Sequence, residues 1–153
     1  MRIMKRELVN MQQREKRTRL GLALSIIMAA LGLLLAIGSR TLFTACSAQE
    51  DGSYMACHWA EMAASALGAV IAVQGLIALL LRDRKAQGAV FAAVAPAGLL
   101  CCFIPGTVIS ICSMSGMHCR TNLRPWVIVL GAVICAVALI GAAAGLHTKH
   151  EED

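Results

Sequence analysis

The sequence predicts an all-α membrane protein, a bundle of four transmembrane helices. Three observations carry that expectation. Four apolar runs of about 20 residues each stand in the chain, the length a helix needs to cross a hydrocarbon core, and none holds an Asp, Glu, Lys or Arg. Hydrophobic residues make up 58% of the 153 and charged ones 15%, with a mean hydropathy of +0.70. A soluble domain of this size needs more charge on its surface. Lastly, the cations gather at the ends of the apolar runs. The net charge of +5 therefore does not point to nucleic acid, whose partners carry basic stripes interleaved with aromatics. A β-barrel is excluded because the runs are continuous rather than alternating.

Residues Met1 to Arg19 form a basic arm, with Arg2, Lys5, Arg6, Arg14, Lys16, Arg17 and Arg19 set against Glu7 and Glu15. Met4, Leu8 and Met11 recur at helical spacing, but the apolar stripe is thin, and the arm reads as a solvated segment that fixes topology. The arm is long and the first apolar run is of spanning length, so that run is expected to be retained rather than cleaved as a signal peptide. The four spans are Leu20 to Ser39, Met62 to Leu81, Ala89 to Ile111 and Trp126 to Leu146. Pro125 opens the fourth at a first-turn position, where its missing N–H costs nothing. Trp59 and Trp126 stand at one boundary, where amphipathic rings belong. Pro96 and Pro105 fall inside the third run and predict a kinked or loosened helix there. The tail is His147 to Asp153.

Charge sets the orientation. The arm, the loop Arg82 to Gly88 and the tail hold eleven of the 14 Lys and Arg residues. Arg40, Arg120 and Arg124 hold the rest. The positive-inside rule places arm, middle loop and tail, and so both termini, in the cytoplasm of a cell-membrane protein. Loops Arg40 to Glu61 and Cys112 to Pro125 then face outward.

Small residues recur within the spans. Gly141 and Gly145 form a GxxxG, and Gly32 with Ala36 and Gly68 with Ala72 form similar pairs; such spacing lets helix backbones approach closely. Gly141 and Gly145 are the helix-contact candidates.

The outer loops concentrate the reactive side chains. The first has Cys46, then Met55, Cys57, His58 and Trp59. The second has Cys112, then Met114, Met117, His118, Cys119 and Arg120. Each loop is a cysteine followed by Met-x-Cys between two spans, so the chain reads as two span–loop–span hairpins. Four cysteines facing an oxidising compartment suit two structural disulfides among Cys46, Cys57, Cys112 and Cys119, with three connectivities open. The same set with its Met and His neighbours also has the soft-ligand chemistry of a copper or zinc site, although neither loop has CxxC or HxxxH spacing. Cys101, Cys102 and Cys135 lie within spans and read as small apolar packers. Glu61, one turn after His58, either pairs with that histidine or complements the positive end of its helix. Gln74 is the most polar mid-span residue and is expected to hydrogen-bond a neighbouring helix. No P-loop, GxSxG or HExxH is present.

The placement of Cys46, of Met55-Ala-Cys57-His58-Trp59, and of Ile111-Cys112 followed by Met117-His118-Cys119-Arg120 resembles the prokaryotic family called domain of unknown function 4418, over roughly Leu20 to Leu146. The resemblance implies a small four-span protein with outward cysteines, and no established reaction. It also implies an accessory role, since members are often encoded beside permeases and ATPases of macrolide-exporter type. The general layout is similar, too, to the quinone-linked membrane proteins that generate disulfides and to vitamin K epoxide reductases. Those use a CxxC pair, whereas here the outer pairs are eleven and seven residues apart. The expected function is a non-enzymatic membrane subunit beside a larger protein such as an ABC-type export permease, without a cofactor. The alternatives are a soft-metal protein and a thiol oxidoreductase.

Overall fold

The computed structural model describes residues 2–42, 56–109 and 122–146. These residues form four helices: α1 (Arg2–Thr41), α2 (Ala56–Leu80), α3 (Arg84–Phe103) and α4 (Arg124–Leu146). Each contains a stretch long and apolar enough to cross a membrane. The protein is an all-α, four-helix, multi-pass membrane bundle.

Arm and first span are one helix. No glycine or proline stands between Arg2 and Leu20, so nothing breaks the hydrogen-bond ladder where the composition turns apolar. α1 has 40 residues. At 1.5 Å per residue it is about 60 Å long, roughly twice the hydrocarbon thickness. Its spanning part starts at Arg19.

Three boundaries differ from the sequence reading. The second helix begins at Ala56, not Met62, so residues 57–61, read as part of the outer loop, are helical. The connection read as Arg82 to Gly88 shrinks to Leu81–Asp83, because its polar residues cap helices instead of forming a loop. Asp83 is extended at φ −83, ψ 126, and its carboxylate accepts the Lys85 N–H at the start of α3. The Gln87 side-chain amide donates to the carbonyls of Ala78 (3.0 Å) and Leu81 (2.7 Å) at the end of α2. The third helix ends at Phe103, not Ile111, and Pro105 lies beyond it. Hydropathy carried the apolar run through a true breaker. Pro105 has no N–H to offer Cys101, and Gly106 takes φ 107. The chain then curls back, with Val108 N–H on Phe103 O and Ile109 N–H on Ile104 O. Of the two prolines only Pro96 is inside a helix.

Packing is by antiparallel pairs. α1 lies most closely on α2, and α3 on α4; the α1–α4 and α2–α3 contacts close the ring. In α1 the buried positions Gly21, Ser25, Met28, Gly32, Leu35 and Ser39 advance by alternating steps of four and three. Ala64, Gly68, Ile71, Gly75 and Ala78 do the same in α2. That 3.5-residue period keeps one stripe of each helix on the bundle axis. Between the seams Met28, Leu35, Ile71, Phe91, Val94 and Ile134 fill the core. The outer faces are apolar as well: Ile26, Leu33, Val73, Leu139 and Ile140 are all exposed. A bundle hydrophobic inside and out is built for lipid.

Candidate functional site

The bundle has a loop end, where α1 and α3 finish and α2 and α4 begin, and a turn end, where the three-residue connection lies. At the loop end, Cys57, His58, Trp59 and Glu61 occupy the first turns of α2. The His58 and Trp59 rings meet edge to face, 6.0 Å apart and inclined by 75°. Trp59 is exposed, whereas Glu61, one turn on from His58, is buried at 8% exposure. Across from it the Arg40 guanidinium donates to the Met62 sulfur at 3.0 Å. Cys46, Met55, Cys112, Met114, Met117, His118 and Cys119 lie outside the described residues, as does the side chain of Cys57. The structure therefore places His58, Trp59 and Glu61 of the outer set on the first turns of α2, with His58 and Trp59 in ring contact, and places none of the cysteine pairings. Among the described residues no group of three or more His, Cys, Asp and Glu side chains is arranged to hold a metal ion.

The span cysteines sit in the α3–α4 seam. Cys101 is fully buried in the core. The Cys102 thiol donates to Gly98 O on its own helix at 3.6 Å and to Ile128 O of α4 at 3.5 Å. Cys101, Cys102 and Cys135 are all free thiols. Gln74 does not meet expectation: its side-chain carbonyl oxygen is buried with no hydrogen-bond partner.

The glycines have defined neighbours. A Cβ on Gly32 would stand 2.4 Å from the Ala72 backbone nitrogen, and one on Gly68 2.5 Å from that of Ala36. On α4, a Cβ on Gly141 would meet the Phe91 ring at 2.6 Å, and one on Gly145 the Gly88 Cα at 2.5 Å. No ordinary Cβ contact is that short, so Gly32, Gly68 and Gly145, which face backbone, admit only glycine at the observed separations, whereas at Gly141 the Phe91 ring would have to shift.

Sequence reading missed the turn end. Here Gly21, Arg84, Gln87, Gly88, Phe91 and Gly145 line a cleft of about 10 Å³ between α1, α3 and α4, room for no more than about one water. Gln87 is the organising residue, since it bonds α2 with its amide while its carbonyl oxygen lies over Gly21 of α1. The signal was present as a capping aspartate, Asp83, just ahead of an apolar run.

A protein-family model described as Domain of unknown function (DUF4418) matches residues 17–144. No curated protein and no solved structure matches the chain.

Proposed function

The chain belongs to the DUF4418 family, and on that premise we propose that it is a non-enzymatic membrane subunit that packs beside and modulates a larger membrane protein, with an ABC-type export permease as the partner expected. The observation that supports this is the continuity of α1. A membrane span is prolonged, without a break, by a basic helix starting at Arg2. Its 17 residues ahead of Arg19 reach about 26 Å beyond the span at 1.5 Å per residue. Such an extension transmits position between a membrane bundle and whatever it touches outside the bilayer. The bundle interior, by contrast, is filled by side chains and glycine seams, which suits a scaffold better than a conduit.

The test is purification of the full chain in gentle detergent. A larger permease with its ATPase should elute in stoichiometric amount. Deleting residues 2–17 should change that ATPase rate while the bundle stays intact. Elution of the chain alone from membranes that contain the permease, with an unchanged ATPase rate when the chain is removed, would refute the proposal.

The proposal extends to orientation and to the outer loops. The turn end faces the cytoplasm of the cell membrane, because the cations concentrate there, and Cys46, Cys57, Cys112 and Cys119 form two disulfides. In a cysteine-free background, single cysteines at Gln49 and Ser115 should react with an impermeant reagent in spheroplasts, and those at Gln13 and Glu152 should not. Mass spectrometry of the wild type, alkylated before lysis, reads the bridges. Four alkylated outer thiols with bound copper or zinc would favour the metal alternative instead.

A further inference from the structure

We propose that the turn end carries a collar of cations that binds the headgroups of anionic phospholipids. Its members come from three elements: Lys16 and Arg19 on α1, Arg82 in the connection, and Lys85 on α3, all exposed, with Arg84 half-buried behind them. The structure puts them at one level. A Cβ on Gly21 would stand 2.8 Å from the Gln87 side-chain oxygen and 3.9 Å from the Arg84 guanidinium carbon. Arg19, about half a helical turn round from Gly21, lies at the level of the start of α3 on the exposed side of α1, and Arg82 and Lys85 flank Arg84 along the chain. This is also where the apolar stretches begin, at Arg19 on α1 and Arg84 on α3, so the collar meets the lipid headgroups and not the acyl chains.

Charge complementarity selects the occupant. Among the described residues, the carboxylates at this level are engaged within the protein: Asp83 caps α3, and Glu15 pairs with Arg19 at 2.7 Å. That exposed pair holds weakly in water and leaves the guanidinium open to exchange. The cleft behind Arg84, at about 10 Å³, is far too small for a phosphate group. The headgroup accordingly rests on the exposed cations, with its acyl chains along the lipid-facing Leu22 and Ile26 of α1. At the loop end the described cations are Arg40 and Arg124, and Arg40 is turned onto Met62. The inference does not depend on which end faces the cytoplasm, nor on the subunit role proposed above.

The experiment reconstitutes the full chain in nanodiscs of equimolar phosphatidylglycerol and phosphatidylcholine, extracts it, and weighs the retained lipids by native mass spectrometry. Phosphatidylglycerol should be enriched, and the enrichment should fall by about fivefold for each collar cation removed, as in R82Q/K85Q. R40Q/R124Q should leave it unchanged. Raising salt from about 0.05 M to about 0.5 M should erode the wild-type enrichment without any mutation, a readout independent of whether a variant folds. Equal retention of the two lipids, insensitivity to R82Q/K85Q, or loss in R40Q/R124Q alone would overturn the proposal. So would displacement of the lipid by millimolar glycerophosphate, which would indicate a free-phosphate site.

Discussion

The two hairpins solve the same packing problem with different materials. In the α1–α2 seam, glycines face backbone throughout: Gly32 meets Ala72, Gly68 meets Ala36, and Gly75 meets Ala29. In the α3–α4 seam the contacts are mixed. Gly145 meets Gly88 backbone and Gly98 meets Cys135 backbone, but Gly141 is a notch for the Phe91 ring, and Gly131 faces the Gly98 carbonyl together with the Cys101 and Cys102 side chains. Within lipid there is no hydrophobic force to press helices together, so dispersion contacts at close range must hold them. Backbone against backbone gives the closest approach and the least tolerance. A side chain in a notch gives similar contact area but can change rotamer when crowded. The first hairpin is therefore the more brittle, and the second the more adaptable.

The sharpest way to break that comparison is to add bulk to each seam. Gly32→Val and Gly68→Val place new carbons against main-chain atoms that cannot rotate away. Each is expected to cost about 3 kcal/mol or more, the upper range for overpacking, read as a collapse of the thermal unfolding midpoint in detergent. Gly145→Leu belongs to the same class, because Gly88 backbone stands opposite. If Gly32→Val unfolds at the wild-type temperature, the first seam is not held by close backbone approach.

A smaller and more discriminating effect is expected at Gly141. Gly141→Ala crowds only the Phe91 ring and should cost about 1–2 kcal/mol. Phe91→Leu should recover much of that loss in a double-mutant cycle, although it weakens the core on its own. Coupling near zero would mean that the ring and the notch do not depend on each other.

Much of this was legible in the sequence. The number of spans and their pairing into hairpins followed from apolar run length and loop placement, and these depend on composition over twenty residues. The small-residue spacing around Gly32 and Gly68 was visible too. Which glycine faces which partner was not, since a period of 3.5 gives the stripe but not the register of the opposing helix. The third helix was read too long because hydropathy does not register that Pro105-Gly106 ends the hydrogen-bond ladder inside an apolar run. The turn end was overlooked for the opposite reason. Asp83 and Gln87 read as loop polarity, whereas the Asp83 carboxylate caps the start of α3 and the Gln87 amide the end of α2. For the outer cysteines, only the backbone position of Cys57 and the side chains of His58, Trp59 and Glu61 fall among the described residues.

The smallest expected effect tests whether polar contacts distinguish the seams as the glycines do. Each seam carries a side-chain hydrogen bond to the opposing backbone: Ser65 hydroxyl to Ala36 O at 3.0 Å in the first, and Cys102 thiol to Ile128 O at 3.5 Å in the second. The hydroxyl bond is a true directional one, and Ser65→Ala should cost about 0.6 kcal/mol, the average for interhelical bonds in a membrane. The thiol is a weak donor shared with Gly98 O. What Cys102 contributes is the volume of its sulfur, which stands 3.0 Å from the Cβ position of Gly131. Serine keeps a donor but loses that volume, and alanine loses both. Cys102→Ser and Cys102→Ala should accordingly fall to the same midpoint, to within about 0.5 kcal/mol, because the weak hydrogen bond adds little to the packing. A Cys102→Ser variant as stable as wild type, beside a weakened Cys102→Ala, would show that the bond and not the volume holds that point. The second seam would then be as dependent on fixed geometry as the first, and the contrast between a brittle and an adaptable hairpin would rest on Phe91 and Gly141 alone.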